Sequence, residues 1–273
     1  MKLNELKLEV DYFEFDEKYY HKVNPTPLKN PKLVSFNPLA CDLINLDYSE
    51  CQTQEFVDFI NGSNILDGST PFAMAYAGHQ FGYFVPQLGD GRAINLGAVN
   101  NWHLQTKGSG LTRYSRSGDG RAVLRSSIRE YIMSEAMFGL GIPTTRALGL
   151  IDSESFAHRD WEQESCAIVL RMSPSWIRVG TFEFFARSRD KETISQLADY
   201  VIKQSYPHLE NEENKYEKMF YSLVDKTAEL LAKWQVYGFQ HGVMNTDNFS
   251  VAGLTLDYGP YAFMDYFEKN AIC

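Results

Sequence analysis

Apolar positions recur at helical spacing in several stretches of the chain. Over residues 126–140, Ile128, Ile132, Ala136 and Leu140 fall on one side of a helix that the following Gly-Leu-Gly-Ile-Pro run terminates. Tyr216, Phe220, Leu223, Thr227, Leu230, Leu231 and Trp234 form the stripe of a longer helix over 214–237, with Gly238 as its stop. Shorter helical segments are predicted at 181–189 and around 194–203. Strand patterns lie elsewhere. Residues 166–172 (CAIVLRM) read as a buried strand, and the runs 93–99 and 102–106, split by Asn100-Asn101, read as a β-hairpin. Four prolines between residues 24 and 39 predict an extended arm, neither helix nor strand.

These elements follow one another in a definite order. A strand-rich part with one embedded helix (1–172) leads through a connector into a helical part (173–273) that ends in a polar, carboxylate-bearing loop. Protein kinases order their parts in this way. The expected fold is therefore α+β: a protein-kinase-like bilobal fold with a strand-rich N-lobe and a shortened helical C-lobe.

Composition narrows the classes of function. At 273 residues, 44% hydrophobic and 22% charged, the chain can bury a substantial core. Its formal net charge of −9 argues against a general nucleic-acid binder, which needs a basic surface. An acidic chain that handles a polyphosphate must gather its cations locally. Cys41, Cys51, Cys166 and Cys273 form no CxxC pair and have no histidines at zinc-site spacing. That pattern fits a reducing compartment. The charged N-terminus lacks an apolar signal segment, and no run approaches the ~18 apolar residues of a membrane span. The expectation is a cytoplasmic protein without membrane or nucleic-acid partners.

Several residues could carry chemistry. Gly89 and Gly91 in "QLGDGRA" sit at a turn before a strand, where backbone N–H groups could approach phosphate, and the tetrad Gly-Asp-Gly-Arg recurs at 118–121. Ordinary hairpin turns are the competing explanation. Lys107 ends the run "WHLQTK" and could meet phosphate oxygens, with Glu130 on the next helix as its orienting partner. A solvated lysine and a surface glutamate are the alternative. Arg171 and Arg178 flank "MSPSWI"; an arginine ending a buried strand requires a planar anion, from a ligand or from a structural salt bridge. In "HGVMNTDNFSVAGLTLDYGP", Asn248 and Asp257 offer the hard oxygens that Mg²⁺ prefers, and Asp247 could accept a hydroxyl proton. Turn capping is the alternative for all three. The kinase signatures HRDxxxxN and GxGxxG are both absent, so an ordinary kinase fits poorly.

The blocks "YAGHQFGYFVPQLGDGRA", "KGSGLTRYSRSGDGRAVLRSSIREYIMSEAM", "VLRMSPSWIRVGTFEFF" and "HGVMNTDNFSVAGLTLDYGPYAF" closely resemble the selenoprotein O family. The resemblance implies a kinase-like fold and a protein adenylyltransferase, which moves AMP from ATP to Ser, Thr or Tyr hydroxyls of proteins and releases pyrophosphate. It implies ATP contacts at Gly89, Gly91, Arg92, Lys107, Asp119, Gly120, Arg171, Arg178 and Asp257. It further implies support of Lys107 by Glu130, Mg²⁺ (or Mn²⁺) at Asn248 and Asp257, and Asp247 as the base. ATP would lie flipped relative to kinases, its outer phosphates met by buried cations. Cations of the first part and oxygen ligands of the last loop would thus serve one triphosphate.

Family members continue further with a helical region and a redox-active cysteine or selenocysteine, so a C-terminally shortened member is expected; Cys273 matches no such position. Two other readings stand beside the adenylyltransferase: a non-catalytic ATP-binding pseudokinase module, and a kinase-like phosphotransferase.

Overall fold

The computed structural model describes residues 1–159 and 161–268, and Cys273 lies outside them. Among the described residues the chain forms a mixed α+β fold with a large antiparallel sheet and six α-helices. The strands are β1 (Tyr20–Lys22), β2 (Lys32–Phe36), β3 (Phe72–Gln80), β4 (Tyr83–Gly89), β5 (Ala93–Val99), β6 (Trp102–Lys107), β7 (Ala122–Val123), β8 (Arg146–Asp152), β9 (Phe156–Arg159), β10 (Glu162–Ser173), β11 (Phe239–Gln240) and β12 (Ala262–Phe263). The helices are α1 (Pro38–Leu43), α2 (Gln54–Asn61), α3 (Leu124–Gly139), α4 (Val179–Ala186), α5 (Lys191–Ser205) and α6 (Lys215–Val236).

The chain divides into two compact units. The first comprises residues 1–75, 89–135 and 146–173. Its strands run in the order β1-β3-β5-β6-β10-β8-β2, each neighbour antiparallel. One face is covered by a core that includes Leu6, Ile44, Phe56, Ile60, Ile94, Leu104, Ile168 and Leu170, all fully buried. The predicted hairpin is present as β5–β6. Asn100 and Asn101 both adopt positive φ (49° and 62°), the left-handed pair that a tight two-residue turn between antiparallel strands demands.

The second unit comprises residues 76–88, 136–145 and 174–273. Phe185 is buried on α4, Leu197 and Val201 on α5, and Leu230 and Trp234 on α6, with Tyr206 buried just past the end of α5. The Trp234 indole N–H donates to Thr255 Oγ1 (3.1 Å), and the Tyr206 hydroxyl donates to the Val251 carbonyl (2.7 Å). These bonds pin the polar loop that follows α6. The helix stops as expected, with Gly238 at φ 67° just beyond its end.

Three sequence expectations need correction. Residues 24–39 are not simply an extended arm: 32–36 pair with β8 as a strand, and Pro38 opens α1. Asn37 caps that helix by accepting from the Leu39 N–H, and a proline in the first turn removes a donor that had no partner to lose. On α3 the apolar stripe is not wholly the buried face. Ile128 packs against the core, but Ile132 is 58% exposed and Leu140, just past the helix, is 40% exposed, while Ser127, Glu130, Ser134 and Met137 are buried, Glu130 in ion pairs with Lys107 and Arg171. On α6 only Leu230 and Trp234 of the predicted stripe are buried; Phe220 is 59% exposed.

Candidate functional site

In the first unit, strand alternation puts three polar side chains on one face. Gln105 and Lys107 are two residues apart on β6, and Arg171 of β10 stands directly opposite Gln105. That face meets α3 at Glu130. Its carboxylate accepts from Lys107 Nζ at 2.5 Å and from Arg171 Nη1 at 2.8 Å, all three side chains being under 10% exposed. Arg171 Nη2 also donates to Gln105 Oε1. From there a buried chain of amides continues: Gln105 Nε2 to Asn95 Oδ1 (3.0 Å), then Asn95 Nδ2 to Asp90 Oδ2 (3.0 Å). Asp90 also accepts from the Met74 backbone N–H at 3.0 Å. The first Gly-Asp-Gly turn is thereby tied to the lysine and arginine through continuous hydrogen bonds. Such a network holds its members in one geometry, because any gap would leave a buried polar group unpaired.

The glycines of that turn are explained by packing. A Cβ on Gly89 would stand 2.3 Å from the Tyr114 ring, and one on Gly91 would stand 2.8 Å from the Tyr114 carbonyl oxygen. Ser115 Oγ and Thr112 Oγ1 donate to the Gly91 and Asp90 carbonyls. In the second copy, Gly120 has φ 71° and packs against Gly110, whose N–H donates to its carbonyl at 3.1 Å. Asp119 makes two hydrogen bonds to the Arg159 guanidinium (2.8 and 2.9 Å) and accepts from the Arg121 N–H. Bonding to Arg159, chiefly, holds the Asp119 carboxyl below the usual carboxylate range. Arg92 is exposed and has no ion-pair partner among the described residues.

The second unit holds the other candidates. Asp247 lies in a short 3₁₀ turn, Thr246–Asn248, and is 8% exposed. Gln80 Nε2 donates to its Oδ2 at 2.9 Å, and Arg178 Nη1 donates to its backbone carbonyl at 3.0 Å. Oδ1 of Asp247 has no partner among the described residues. An unmet buried acceptor costs about 1–3 kcal/mol, and more when charged, so its retention calls for a reason. Arg178 caps the start of α4 and lies 4.3 Å over the Tyr76 ring. Asn248 Nδ2 donates to the Val243 carbonyl (3.2 Å), which leaves its amide oxygen as the atom suited to a cation. Asp257 is partly buried between the buried Leu256 and Tyr258. An amide oxygen and a carboxylate match the hard donors that Mg²⁺ takes, with phosphate and water completing its shell. Among the described residues no group of three or more His, Cys, Asp or Glu side chains is placed to hold a metal ion.

Residues 2–273 match the family model described as Protein adenylyltransferase SelO. The chain belongs to the SelO family. SelO-family relatives include the protein nucleotidyltransferase YdiU of Myxococcus xanthus, 49% identical over 99% of this chain and 56% of that protein. Those of Thiobacillus denitrificans and Bordetella avium are each 48% identical, over 99% and 100% of this chain and 56% and 57% of theirs. The chain thus spans a little over half the length of these SelO-family relatives.

Sequence reasoning missed Asp90, Asn95 and Gln105 as parts of the site. The i, i+2 spacing of Gln105 and Lys107 was the available signal. Gln80 gave none, since its partner is 167 residues away.

Proposed function

We propose that this chain carries the ATP-binding and transfer machinery of a protein adenylyltransferase on a protein-kinase-like fold. Membership of the SelO family across residues 2–273 is the observation that carries the reading. In the reaction, a Ser, Thr or Tyr hydroxyl of an acceptor protein gives its proton to Asp247. The oxygen then forms a bond to the α-phosphorus of ATP, the bond from that phosphorus to the β-phosphate bridging oxygen breaks, and pyrophosphate leaves with the electron pair.

Lys107, Arg171, Arg178 and Arg92 supply positive charge for the polyphosphate, and Glu130 holds the first two in place. The turns at Gly89, Gly91, Asp119 and Gly120 shape the backbone near the nucleotide. For Gly89 and Gly91 that role is indirect, through their seat against Tyr114. Asn248 and Asp257 would hold Mg²⁺ or Mn²⁺, which when bound neutralises phosphate charge. Asp247, in the same short turn as Asn248, is the carboxylate that would accept the proton.

The test is incubation with ATP labelled at the α or the γ position, following label on the chain and on added proteins. Transfer from the α position alone is expected. Transfer from the γ position alone would replace this reading with a phosphotransferase, and nucleotide binding without any transfer would replace it with a binding module.

A further inference from the structure

Asp247 is held from outside its own loop. Its Oδ2 accepts from Gln80 Nε2 at 2.9 Å, at the end of β3. The same three residues of β3 and its turn, 79–81, bind the loop at two more points: the His79 N–H donates to Thr246 Oγ1 (2.8 Å) and the Phe81 N–H donates to Asn245 Oδ1 (3.1 Å). Glu183 of α4 closes the network. It accepts from Thr246 Oγ1 at 2.8 Å, and its other oxygen lies 2.7 Å from His79 Nδ1. Two missing side chains make room for this seat. A Cβ on Gly78 would stand 2.7 Å from Asp247 Oδ1, and one on Gly180 would stand 2.2 Å from the Ala77 carbonyl oxygen and 3.3 Å from Asp247 Cα.

We propose that Gln80 is a positioning residue for the transfer reaction, fixing the rotation of the Asp247 carboxylate. This rests on the reading of Asp247 as base. The physical case concerns the donor's kind and number. A carboxylate in a short polar turn can rotate about its terminal torsion, and one amide N–H on one oxygen removes that freedom. A guanidinium in the same place would engage both oxygens and hold the proton acceptor in an ion pair. A neutral amide fixes the rotation of the carboxylate without adding an ion pair of its own. The two backbone bonds from residues 79 and 81 keep the amide in register with the loop, so its orientation is set before any acceptor arrives.

The test uses the full chain with Gln80→Met, which keeps length and bulk but loses the donor, and Gln80→Glu, which keeps the shape but replaces the donor with a second carboxylate. Both are expected to lower kcat for transfer at least tenfold while KM for ATP and Tm stay close to those of the parent. Asp247→Asn is measured beside them. If Asp247→Asn abolishes transfer and Gln80→Met stays within twofold of the parent, the positioning role is wrong and the base assignment survives. If Asp247→Asn itself retains the parental rate, the base assignment is wrong. A readout independent of turnover is the ¹H–¹⁵N spectrum. The Gln80 side-chain amide should show one proton shifted downfield, and the shift should vanish in Asp247→Ala. An Asp247→Ala spectrum with an unmoved Gln80 amide would overturn the proposal in a chain with or without activity.

Discussion

At the scale of single residues, Asp247 sits in a pocket defined as much by absent atoms as by present ones. A Cβ on Gly78 would stand 2.7 Å from the Asp247 carboxylate and 3.0 Å from the Leu88 side chain. Gly78→Ala must push either the carboxylate or Leu88 out of place. Because the nearest atom belongs to Asp247 itself, the expected outcome is a fall in transfer rate of tenfold or more with nucleotide affinity little changed, measured by steady-state kinetics alongside ATP titration. A mutant whose affinity fell while its rate held would place the effect on binding instead. The glycines at 89 and 91 teach a different lesson. Tyr114 fills the space a side chain would need there, a packing reason for glycine that bears on the Cβ and not on the backbone N–H groups. A glycine in a sequence announces that something approaches closely and does not say what.

At the scale of elements, long periodic segments were legible and register-dependent ones were not. Helix α6 and the β5–β6 hairpin follow from local spacing and from the Asn-Asn turn. Which face of α3 turns inward did not follow. Ile128, Ile132, Ala136 and Leu140 obey the helical period, but of these Ile128 packs on the core while Ile132 is exposed, and Glu130 is buried in its pairing with Lys107 and Arg171 on β6 and β10. Strand β3 gave no early sign because its continuous apolar run lacks alternation, whereas α2 does carry a helical period in Phe56, Phe59 and Ile60 between the Thr53 cap and Gly62. The candidate site was legible as residue types and illegible as connections. Hydrogen bonds such as Gln80 to Asp247 span distances along the chain that periodicity cannot see.

Strand β6 also yields a prediction about acid. Burial lowers the pKa of His103 below 6.5, with the Asp11 charge opposing in part. The unfolded chain therefore binds this proton more readily than the folded one. Stability from neutral His103 is present above about pH 6.5 and is lost as pH falls through the lower folded value. Urea midpoints should drop between pH 7.5 and 5.5, and His103→Gln should flatten that dependence; an unchanged slope in the variant would remove His103 as its source.

At the scale of the whole molecule, an acidic protein of net charge −9 nonetheless encloses Lys107, Arg171, Arg146 and Arg178, each under 10% exposed. These are four of its 26 lysines and arginines, held out of water where a charge acts more strongly than at the surface. Saturating Mg·ATP should raise the unfolding free energy, by about 2.7 kcal/mol at a hundredfold excess over Kd. Asp257→Ala should erase the metal-dependent share of that rise, whereas Asp247→Ala should keep it. Calorimetry with and without Mg²⁺ decides the matter, and a full metal effect in Asp257→Ala would reassign the ligand. The carboxylate of Glu130 carries a wider implication. That one carboxylate links α3 to a cation on each of two strands, so a small roll of the helix would loosen Lys107 and Arg171 in a single movement, with Arg171 keeping its bond to Gln105. The seating of one helix thereby bears on two charges together.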